Sequence, residues 1–324
     1  MQTTFKVSRF DPEKHEQSHF MTYPVDLPQS ATVLDGLTQI RDEQDPSLAF
    51  RGNCERGTCG DCALRVNKKG VLGCTTKIAD VVGKDGVVTV EPIRHIPVLK
   101  DLMYDMETFL WRKVKTVTPW IVPRLPEPEG EYLVPEEAMA KVRTVMSCVM
   151  CGLCDEGCTV VAVDDQFVGP AALTKAYRAI FDPRDDRQAE RLRSISEPEG
   201  VWDCTHCFEA NGHCPISSIE PTDRIFDIRD EAIRQGIRSG KHNPKVRRHY
   251  DSFVKSVKQS GWLDEGRLAI ESEGLLNIPG LLKLLPTAVR AMMRHKAPIP
   301  YLHHKRPGAE AVRRIIDKAE ENQP

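Results

Sequence analysis

The segment CVMCGLCDEGC occupies residues 148–158 and carries Cys148, Cys151, Cys154 and Cys158. This C-x2-C-x2-C-x3-C spacing is typical of bacterial iron-sulfur proteins, in which three of the thiolates bind one cluster and the fourth binds another. The segment therefore predicts two neighbouring clusters. The competing interpretation is that these are buried structural cysteines. That interpretation does not explain why this segment interlocks with a second cysteine segment further along the chain.

A second segment supplies the ligands that this crossing requires. Residues 204–215 read CTHCFEANGHCP, in which Ala210 occupies the third ligand position. By the crossing rule, the predicted 4Fe-4S ligands are Cys148, Cys151, Cys154 and Cys214. The cysteines that remain for the other cluster are Cys158, Cys204 and Cys207. Three thiolates favour a 3Fe-4S cluster, whereas a second 4Fe-4S cluster needs a fourth ligand from Glu209, His206 or His213.

A third group of cysteines lies nearer the N-terminus: Cys54, Cys59, Cys62 and Cys74. Its C-x4-C-x2-C spacing, with a distant fourth cysteine, is the plant-type pattern for a 2Fe-2S cluster. Gly52, Gly57 and Gly60 allow tight turns and bring backbone N–H groups close to sulfur. Zinc is the competing interpretation, but a zinc site more often uses two equal C-x-x-C pairs.

Composition narrows the function classes. All eleven cysteines belong to the three groups, and the odd number fits poorly with a closed set of disulfides. With 45 lysines and arginines against 47 acidic residues, the net charge of -2 argues against a nucleic-acid partner. No apolar run approaches the roughly 18–20 residues of a membrane span, and the N-terminus lacks signal-peptide order. We therefore expect a soluble, intracellular chain.

The pattern of apolar residues predicts an α+β chain. Strands are expected around Phe5, Val7 and Phe10, at Tyr23 and Val25, and at Val87–Val90, with a helix from Val33 to Ile40 capped by Ser30 or Thr32. After a proline-rich stretch, helices are expected at 136–146, 169–181, 187–195 and 223–234. The predicted domains are a 2Fe-2S domain (1–112), a linker (113–137), a two-cluster helical domain (138–240) and a helical extension (241–324).

Residues 1–235 resemble the iron-sulfur subunit of complex II and of quinol:fumarate reductases. The resemblance includes Asp45-Pro46-Ser47-Leu48-Ala49-Phe50-Arg51, Pro97-Val98-Leu99-Lys100-Asp101-Leu102 with Asp105-Met106, Gly169-Pro170-Ala171 and Ala176-Tyr177-Arg178. It implies a plant-type ferredoxin (β-grasp) domain followed by an α-helical ferredoxin domain. It also implies electron transfer between an FAD-containing flavoprotein and a membrane anchor that handles quinone. The expected location is peripheral, on the cytoplasmic side of the cell inner membrane.

The chain carries no G-x-G-x-x-G run for a flavin or nicotinamide of its own, so the carbon chemistry is expected on a partner subunit. The resemblance fails where well-characterised members have a proline, a tryptophan pair and a histidine near the quinone. Here those places hold Thr159, Ala162 with Val163, and Thr205. Cys207 stands where those members lack cysteine, and Ala210 replaces their ligand. The quinone pocket of those members is therefore not carried over.

The tail beyond residue 240 resembles small heterodisulfide-reductase-like iron-sulfur subunits, through Ser252-Phe253-Val254 and 303–308. This points to a complex II whose anchor carries cysteine-rich CCG domains instead of haem-binding helices. Within the tail, apolar residues at helical spacing (Leu281, Leu282, Leu284, Leu285, Val289, Met292 and Met293) indicate either a packed core or contact with a membrane or anchor. His303 and His304 are interpreted as surface or interface residues rather than metal ligands.

The main hypothesis is an electron-transfer subunit of a succinate:quinone or quinol:fumarate oxidoreductase. Two alternative functions stand beside it. One is an electron-transfer subunit of a heterodisulfide-reductase-like enzyme with another organic substrate. The N-terminal 2Fe-2S module and Pro97-Val98-Leu99-Lys100-Asp101-Leu102 favour the succinate or fumarate enzyme over it. The other, from a different class, is a zinc-binding interaction protein without a redox role, which would lack the visible charge-transfer colour of iron-sulfur proteins.

Overall fold

The computed structural model describes residues 1–14, 17–237, 244–296 and 305–321 of the 324-residue chain. The chain divides into two compact units. The first comprises Met1–Ser194 and Glu199–Arg229, and the second comprises Ile195–Pro198 and Asp230–Pro324. All eleven cysteines belong to the first unit.

The described residues contain seven strands and thirteen α-helices. The strands are β1 (Gln2–Arg9), β2 (His19–Asp26), β3 (Ala63–Val66), β4 (Lys69–Leu72), β5 (Val87–Glu91), β6 (Val98–Lys100) and β7 (Met103–Tyr104). The helices of the first unit are α1 (Val33–Gln39), α2 (Ile78–Val81), α3 (Arg112–Thr116), α4 (Glu136–Met146), α5 (Leu153–Glu156), α6 (Gly169–Phe181), α7 (Gln188–Ile195), α8 (Glu209–His213) and α9 (Pro221–Arg234), of which α7 and α9 reach its boundary. Those of the second unit are α10 (Pro244–Ser260), α11 (Glu265–Glu273), α12 (Ile278–Met293) and α13 (Ala309–Glu321).

The N-terminal sheet has the strand order β2-β1-β5-β3-β4. β1 and β5 run parallel and the other neighbours run antiparallel. The parallel pair requires a crossover between its strands, and the chain in between supplies helix α1 together with the segment that carries the first cysteine group. This is the β-grasp arrangement that the family resemblance implies.

Helix α1 packs onto the sheet through its apolar side. Thr32 accepts a hydrogen bond from the Asp35 amide while Asp35 reaches back to the Thr32 amide, so Thr32 rather than Ser30 is the cap. A Cβ at Gly36 would lie only 2.4 Å from the Phe5 ring, which shows how closely the helix approaches β1. Phe5 and Leu37 are both fully buried in the resulting core.

The second half of the first unit is helical, and the fold class predicted from the sequence is confirmed. Helices α4 and α6 have the predicted bounds, α7 begins one residue later than predicted, and α9 begins two residues earlier. The cysteine segments form the turns and very short helices between them. α5 contains Cys154, and α8 ends one residue before Cys214.

The proline-rich stretch is an extended strap held on the helical domain by one buried ion pair. Arg191 bonds Asp185 at 2.7 Å and also donates to the Trp120 carbonyl at 2.7 Å. Asp185 in turn accepts a hydrogen bond from the Val122 amide at 2.9 Å. These side chains satisfy the Trp120 carbonyl and the Val122 amide, which therefore need no partner in a strand or helix.

The second unit packs α11 and α13 against α10. Arg248 donates to the Ser272 and Glu273 carbonyls at the end of α11, and Lys258 pairs with Asp317 and Glu320 of α13. None of the described helices is both long and apolar enough to cross a membrane. Tyr301, Leu302, His303 and His304 lie outside the described residues.

Candidate metal centres

The first centre is a loop whose backbone N–H groups are directed at cysteine sulfur. The Thr58 and Cys59 amides lie 3.3 Å from Cys54 Sγ, and the Gly57 amide lies 3.2 Å from Cys74 Sγ. The Cys74 amide lies 3.5 Å from Cys62 Sγ. Amide donors stabilise the negative charge of a thiolate and tune the potential of a cluster bound to it.

The thiols of this loop differ in their acidity. Hydrogen bonds, the largest from Thr58, lower the pKa of Cys54 to about 6. Burial, with the nearby Cys74 and Cys59 thiolates, raises the pKa of Cys62 to about 12. Neighbouring thiolates repel one another, and a cationic iron core removes that repulsion. The donor set therefore fits a 2Fe-2S cluster.

The second centre brings together cysteines from two distant segments. Cys148, Cys151, Cys154 and Cys214 all line one narrow pocket, whose other walls include Ile216 and Ile219. Burial, with the charges of Cys148 and Cys214, raises the pKa of Cys151 to about 12. Four thiols converging in an apolar pocket fit a 4Fe-4S cluster, and they are the four that the crossing rule selects.

The third centre gathers the remaining three cysteines. Burial raises the pKa of Cys158 to about 11, and the nearby Cys204 thiolate contributes to the shift. The Cys207 thiolate in turn contributes to the raised pKa of Cys204. Thr159 Oγ1 donates to Cys207 Sγ at 3.5 Å, and despite partial burial this bond helps to lower the pKa of Cys207. The thiols of Cys158 and Cys204 are therefore close enough to interact, as are those of Cys204 and Cys207, and none of the three lines the pocket of the second centre.

The backbone repeats between the second and third centres. In the Cys148–Gly152 loop, Met150 and Gly152 are left-handed, with φ of 57° and 77°. In the Cys204–Phe208 loop, His206 and Phe208 occupy the same relative positions, with φ of 56° and 61°. Alternation of left-handed and right-handed backbone conformations turns successive N–H groups toward one point and is common around iron-sulfur clusters. Cys204 and Cys207 therefore occupy the same positions in their loop as Cys148 and Cys151 do in theirs.

The short helices that follow extend this repeat. Each begins directly after the second left-handed residue, α5 after Gly152 and α8 after Phe208. Cys154 is the second residue of α5, and Ala210, which is 6% exposed, is the second residue of α8. Ala210 therefore holds the position of a ligand without a ligating atom.

The first and second centres are in contact. A Cβ added at Gly60, in the first loop, would lie 2.4 Å from the Val149 carbonyl oxygen and 3.1 Å from Cys151 Cα. A cavity of about 320 Å³ at this contact is lined by both loops and by Tyr104. Tyr104 donates to the Ala63 carbonyl at 3.0 Å, and burial raises the pKa of its hydroxyl, with smaller contributions from the charges of Cys151 and Cys62. Electrons therefore have a short protein path between the two loops.

Spacing alone did not identify Glu156, which lies inside the CVMCGLCDEGC segment. Its side chain is fully buried and forms ion pairs with Arg65 Nε at 3.1 Å and Arg94 Nε at 2.9 Å, both in the N-terminal domain. The charged pair Asp155-Glu156 between two cysteines is the sequence feature that could have indicated it. The second half of the pair, Asp155, accepts a hydrogen bond from the Ala171 amide at the start of α6.

The three proposed fourth ligands have different surroundings. His213 Nδ1 lies 2.8 Å from the Glu209 carbonyl, and its Nε2 lies 3.7 Å from Glu156. The His206 ring packs against the Phe226 ring at a tilt of 31°, with centroids 3.8 Å apart, and its buried Nε2 has no hydrogen-bond partner in the described part of the chain. Burial lowers the pKa of His206 to about 4. None of the three is thereby established as a ligand.

No group of three or more His, Cys, Asp or Glu side chains among the described residues converges closely enough to hold a single metal ion. A mononuclear site needs all its ligands within about 2.3 Å of one centre, whereas a cluster distributes its thiolates over several irons. For a cluster site, the relevant features are therefore the pocket that the thiols share and the groups that lie next to them.

Two protein families match the chain. A family described as a 2Fe-2S iron-sulfur cluster binding domain matches residues 4–111, and a 4Fe-4S dicluster domain matches residues 144–243. The first match contains Cys54, Cys59, Cys62 and Cys74, and the second contains the other seven cysteines. Clusters of the 2Fe-2S and 4Fe-4S types are thus assigned to the two domains.

Individual relatives agree with these families. The fumarate reductase iron-sulfur subunit of Mycobacterium tuberculosis is 37% identical over 223 residues, which cover 68% of this chain and 88% of that relative. The succinate dehydrogenase iron-sulfur subunit of Paracoccus denitrificans is 34% identical over 69% of this chain and 86% of its own length.

A solved structure of the Mycobacterium smegmatis Sdh1 complex in the apo form contains a chain with TM-score 0.64 and 28% identity, covering 72% of this chain and 97% of that one. The likeness in sequence, the matched domains and the three cysteine centres agree with one another. The chain belongs to the family of succinate dehydrogenase and fumarate reductase iron-sulfur subunits, whose function is electron transfer within the oxidoreductase.

Proposed function

We propose that this chain relays electrons between an FAD-containing flavoprotein subunit and a membrane-anchor subunit of a succinate:quinone or quinol:fumarate oxidoreductase. The order of the relay is the 2Fe-2S centre, the 4Fe-4S centre and the third centre. One observation supports this order above all: the Gly60 loop of the first centre packs on the Cys151 loop of the second. The ends of the relay are assigned to partners because the chain lacks a dinucleotide motif.

The eleven cysteines are proposed as the ligands. Those of the 2Fe-2S cluster are Cys54, Cys59, Cys62 and Cys74. Those of the 4Fe-4S cluster are Cys148, Cys151, Cys154 and Cys214. Those of the third cluster are Cys158, Cys204 and Cys207. The shared pocket of the second group and the repeated backbone of the two C-x-x-C loops support the assignment.

The clusters, when bound, accept and donate single electrons, and the protein adjusts how readily they do so. Amides of Gly57, Thr58 and Cys59 donate to sulfur and favour the reduced, more negative state of the first cluster. Around the second centre, Leu153, with no exposed surface, and Ile219, 2% exposed, keep water away. Burial without added charge disfavours reduction, because it desolvates the more negative state.

The contact between the first and second centres gives a direct test of the relay geometry. We expect Gly60→Ala to separate the two loops, because the new methyl group meets the Val149 carbonyl and the residue has φ of +77°. The left-handed backbone alone costs about 1–2 kcal/mol, and the collision adds to it. Weaker magnetic interaction between the reduced clusters in EPR spectra, with a lowered urea midpoint, is the expected result.

Gly86→Ala is the matched control. Gly86 has φ of +75°, but its added Cβ would meet nothing within 4 Å. Gly86→Ala should therefore lower the urea midpoint, because of its left-handed backbone, and leave the magnetic interaction between the reduced clusters unchanged. Equal effects of the two variants would contradict a functional contact at Gly60.

We propose a 3Fe-4S cluster at the third centre, because three thiols are present and the fourth position is Ala210. Ala210→Cys should then convert it to a 4Fe-4S cluster and raise the iron content by about one atom per chain. The oxidised-state EPR signal of a 3Fe-4S cluster should disappear at the same time. An unchanged iron content, with no such signal in the parent protein, would instead support a 4Fe-4S cluster with a non-cysteine ligand.

The anchor is proposed to carry CCG domains, and the chain is proposed to lie on the cytoplasmic side of the cell inner membrane. Support comes from Thr159, Val163 and Thr205, which stand where haem-anchored relatives have quinone-site residues, and from the tail. Co-purification with a haem-containing anchor would contradict this part of the proposal. The domain limits at residues 112, 137 and 240 likewise remain predictions.

The whole proposal is tested by anaerobic purification of the chain with its bound partners, followed by iron, sulfide and flavin analysis. About nine irons per chain, flavin on a larger subunit and clusters that succinate reduces are expected. A colourless protein containing zinc would overturn the proposal. Clusters that succinate leaves oxidised, on a complex with a different organic substrate, would favour the heterodisulfide-reductase-like alternative.

A further inference from the structure

Helix α12, in the second unit, presents an apolar face that no described residue covers. The helix has no buried residue. Six of its large apolar side chains are 48–73% exposed, whereas Leu281 and Leu284 are half-buried; the six are Ile278, Leu282, Leu285, Val289, Met292 and Met293. Their spacing of three or four residues puts them on one side of an α-helix. Exposed apolar patches of this kind usually mark a site of contact with a membrane or another macromolecule.

The polar side of the same helix is basic. Lys283, Arg290 and Arg294 follow one another at intervals of seven and four residues, which places them on a common stripe beside the apolar face. Within the described part of the chain, no carboxylate lies within 4.0 Å of these three cations or of Lys296. Arg290 donates only to the Pro286 carbonyl of its own helix, at 3.2 Å.

The sequence around α12 is strongly basic, whereas the rest of the chain is acidic. Between Gly274 and Ala309 the sequence holds six lysines and arginines and neither aspartate nor glutamate. The remaining residues hold 39 lysines and arginines against all 47 acidic residues. This segment also lies beyond residue 243, where the matched dicluster domain ends. It is therefore a separate basic element on a chain that is otherwise acidic.

We propose that α12 lies in the surface of a bilayer containing anionic phospholipid, with its apolar face in the acyl region and its basic stripe at the headgroups. An apolar face alone would suit a protein partner equally well. The adjoining uncompensated positive charge favours the anionic lipid, since this pairing of faces is characteristic of interfacial helices. The helix would hold the chain at the membrane independently of the anchor subunit.

The experiment is flotation of the full, cluster-loaded chain with vesicles of phosphatidylcholine alone or mixed equally with phosphatidylglycerol. The chain should float with the mixed vesicles and remain behind with phosphatidylcholine, and added salt should weaken the binding. Leu285→Glu, at the centre of the apolar face, should lower the partition coefficient about tenfold or more. Arg290→Gln should lower it about fivefold.

Ile315→Glu is the matched control, because Ile315 of α13 is 69% exposed and lies outside the basic segment. It should bind vesicles as the parent chain does. Iron content and far-UV circular dichroism should be unchanged in all three variants, since none alters a buried residue. This readout also separates the inference from the proposed relay, whose failure would appear in the iron content instead.

Absence of binding to mixed vesicles would overturn the inference. So would equal binding of Leu285→Glu and the parent chain. If Leu285→Glu instead released the chain from its purified complex while leaving vesicle binding intact, the face would belong to a protein partner and the lipid assignment would be wrong.

Discussion

Cys214→Ala should remove the 4Fe-4S cluster, whereas Cys158→Ala should remove the third cluster and leave the 4Fe-4S cluster in place. Simple order along the chain would suggest the reverse, since Cys158 follows Cys148, Cys151 and Cys154, but the crossing rule already predicts Cys214 as the fourth ligand. In the structure Cys214 shares their pocket, and Cys158 lies beside Cys204. Crossed ligands thus make the effect of each variant the opposite of what sequence order suggests.

The measurement is iron content together with EPR in the oxidised and reduced states. Cys214→Ala should lose the reduced-state 4Fe-4S signal and at least about one iron, because three thiolates cannot hold a fourth iron, while keeping the oxidised-state signal of the third cluster. Cys158→Ala should lose about three irons and that oxidised-state signal. Alanine is chosen because serine offers an oxygen ligand.

Ser217→Ala serves as the control, because this exposed residue lies three positions after Cys214 and does not line the pocket of the second centre. All three clusters should be retained. An exchange of the two results, with Cys158→Ala losing the 4Fe-4S signal, would mean that the ligands follow the sequence order. Loss of every cluster in both variants calls for reconstitution with iron and sulfide, after which the surviving signal must still differ between them.

Much of the fold follows from local patterns in the sequence. The capped helix at Thr32, the alternation in β1 and the four helices after residue 135 were predicted because periodicity and capping act within a few residues. The hairpin β3–β4 was not predicted. Its turn residues Asn67 and Lys68 are both left-handed, with φ of 48° and 71°, and lysine is an unusual residue for such a turn.

The cysteine groups were predictable for a similar reason, since ligand spacing is a local property. The contacts that bring the centres together were not, because they join residues far apart in sequence. Glu156 meets Arg94 across 62 positions, and Gly60 meets Val149 across 89. Only the three-dimensional structure shows that a glycine and a buried carboxylate, both outside the ligand set, hold one cluster loop against the other.

Asp101→Ala should destabilise the N-terminal domain by about 3 kcal/mol, because the Phe10 amide, the Ala49 amide and Arg9 Nε all lose their acceptor, while Arg9 keeps Asp45 as its other carboxylate partner. Asp101 is 1% exposed and accepts hydrogen bonds from Arg9 Nε at 3.0 Å, the Phe10 amide at 2.9 Å and the Ala49 amide at 2.8 Å. These contacts fasten the end of β1 to the segment that leads into the first cluster loop. Loosening of that loop should accompany the loss of stability.

The measurement is the urea midpoint for loss of 2Fe-2S absorbance, and two further variants define its cause. Asp101→Asn should be nearly as damaging, because both carboxylate oxygens accept from N–H groups and an amide would turn a donor toward one of them. Asp42→Ala should change stability by less than about 1 kcal/mol, since its pair with Arg41 is exposed. A midpoint in Asp101→Ala equal to that in Asp42→Ala would show that the cluster loop is held by its cysteines and not by the buried network around Arg9.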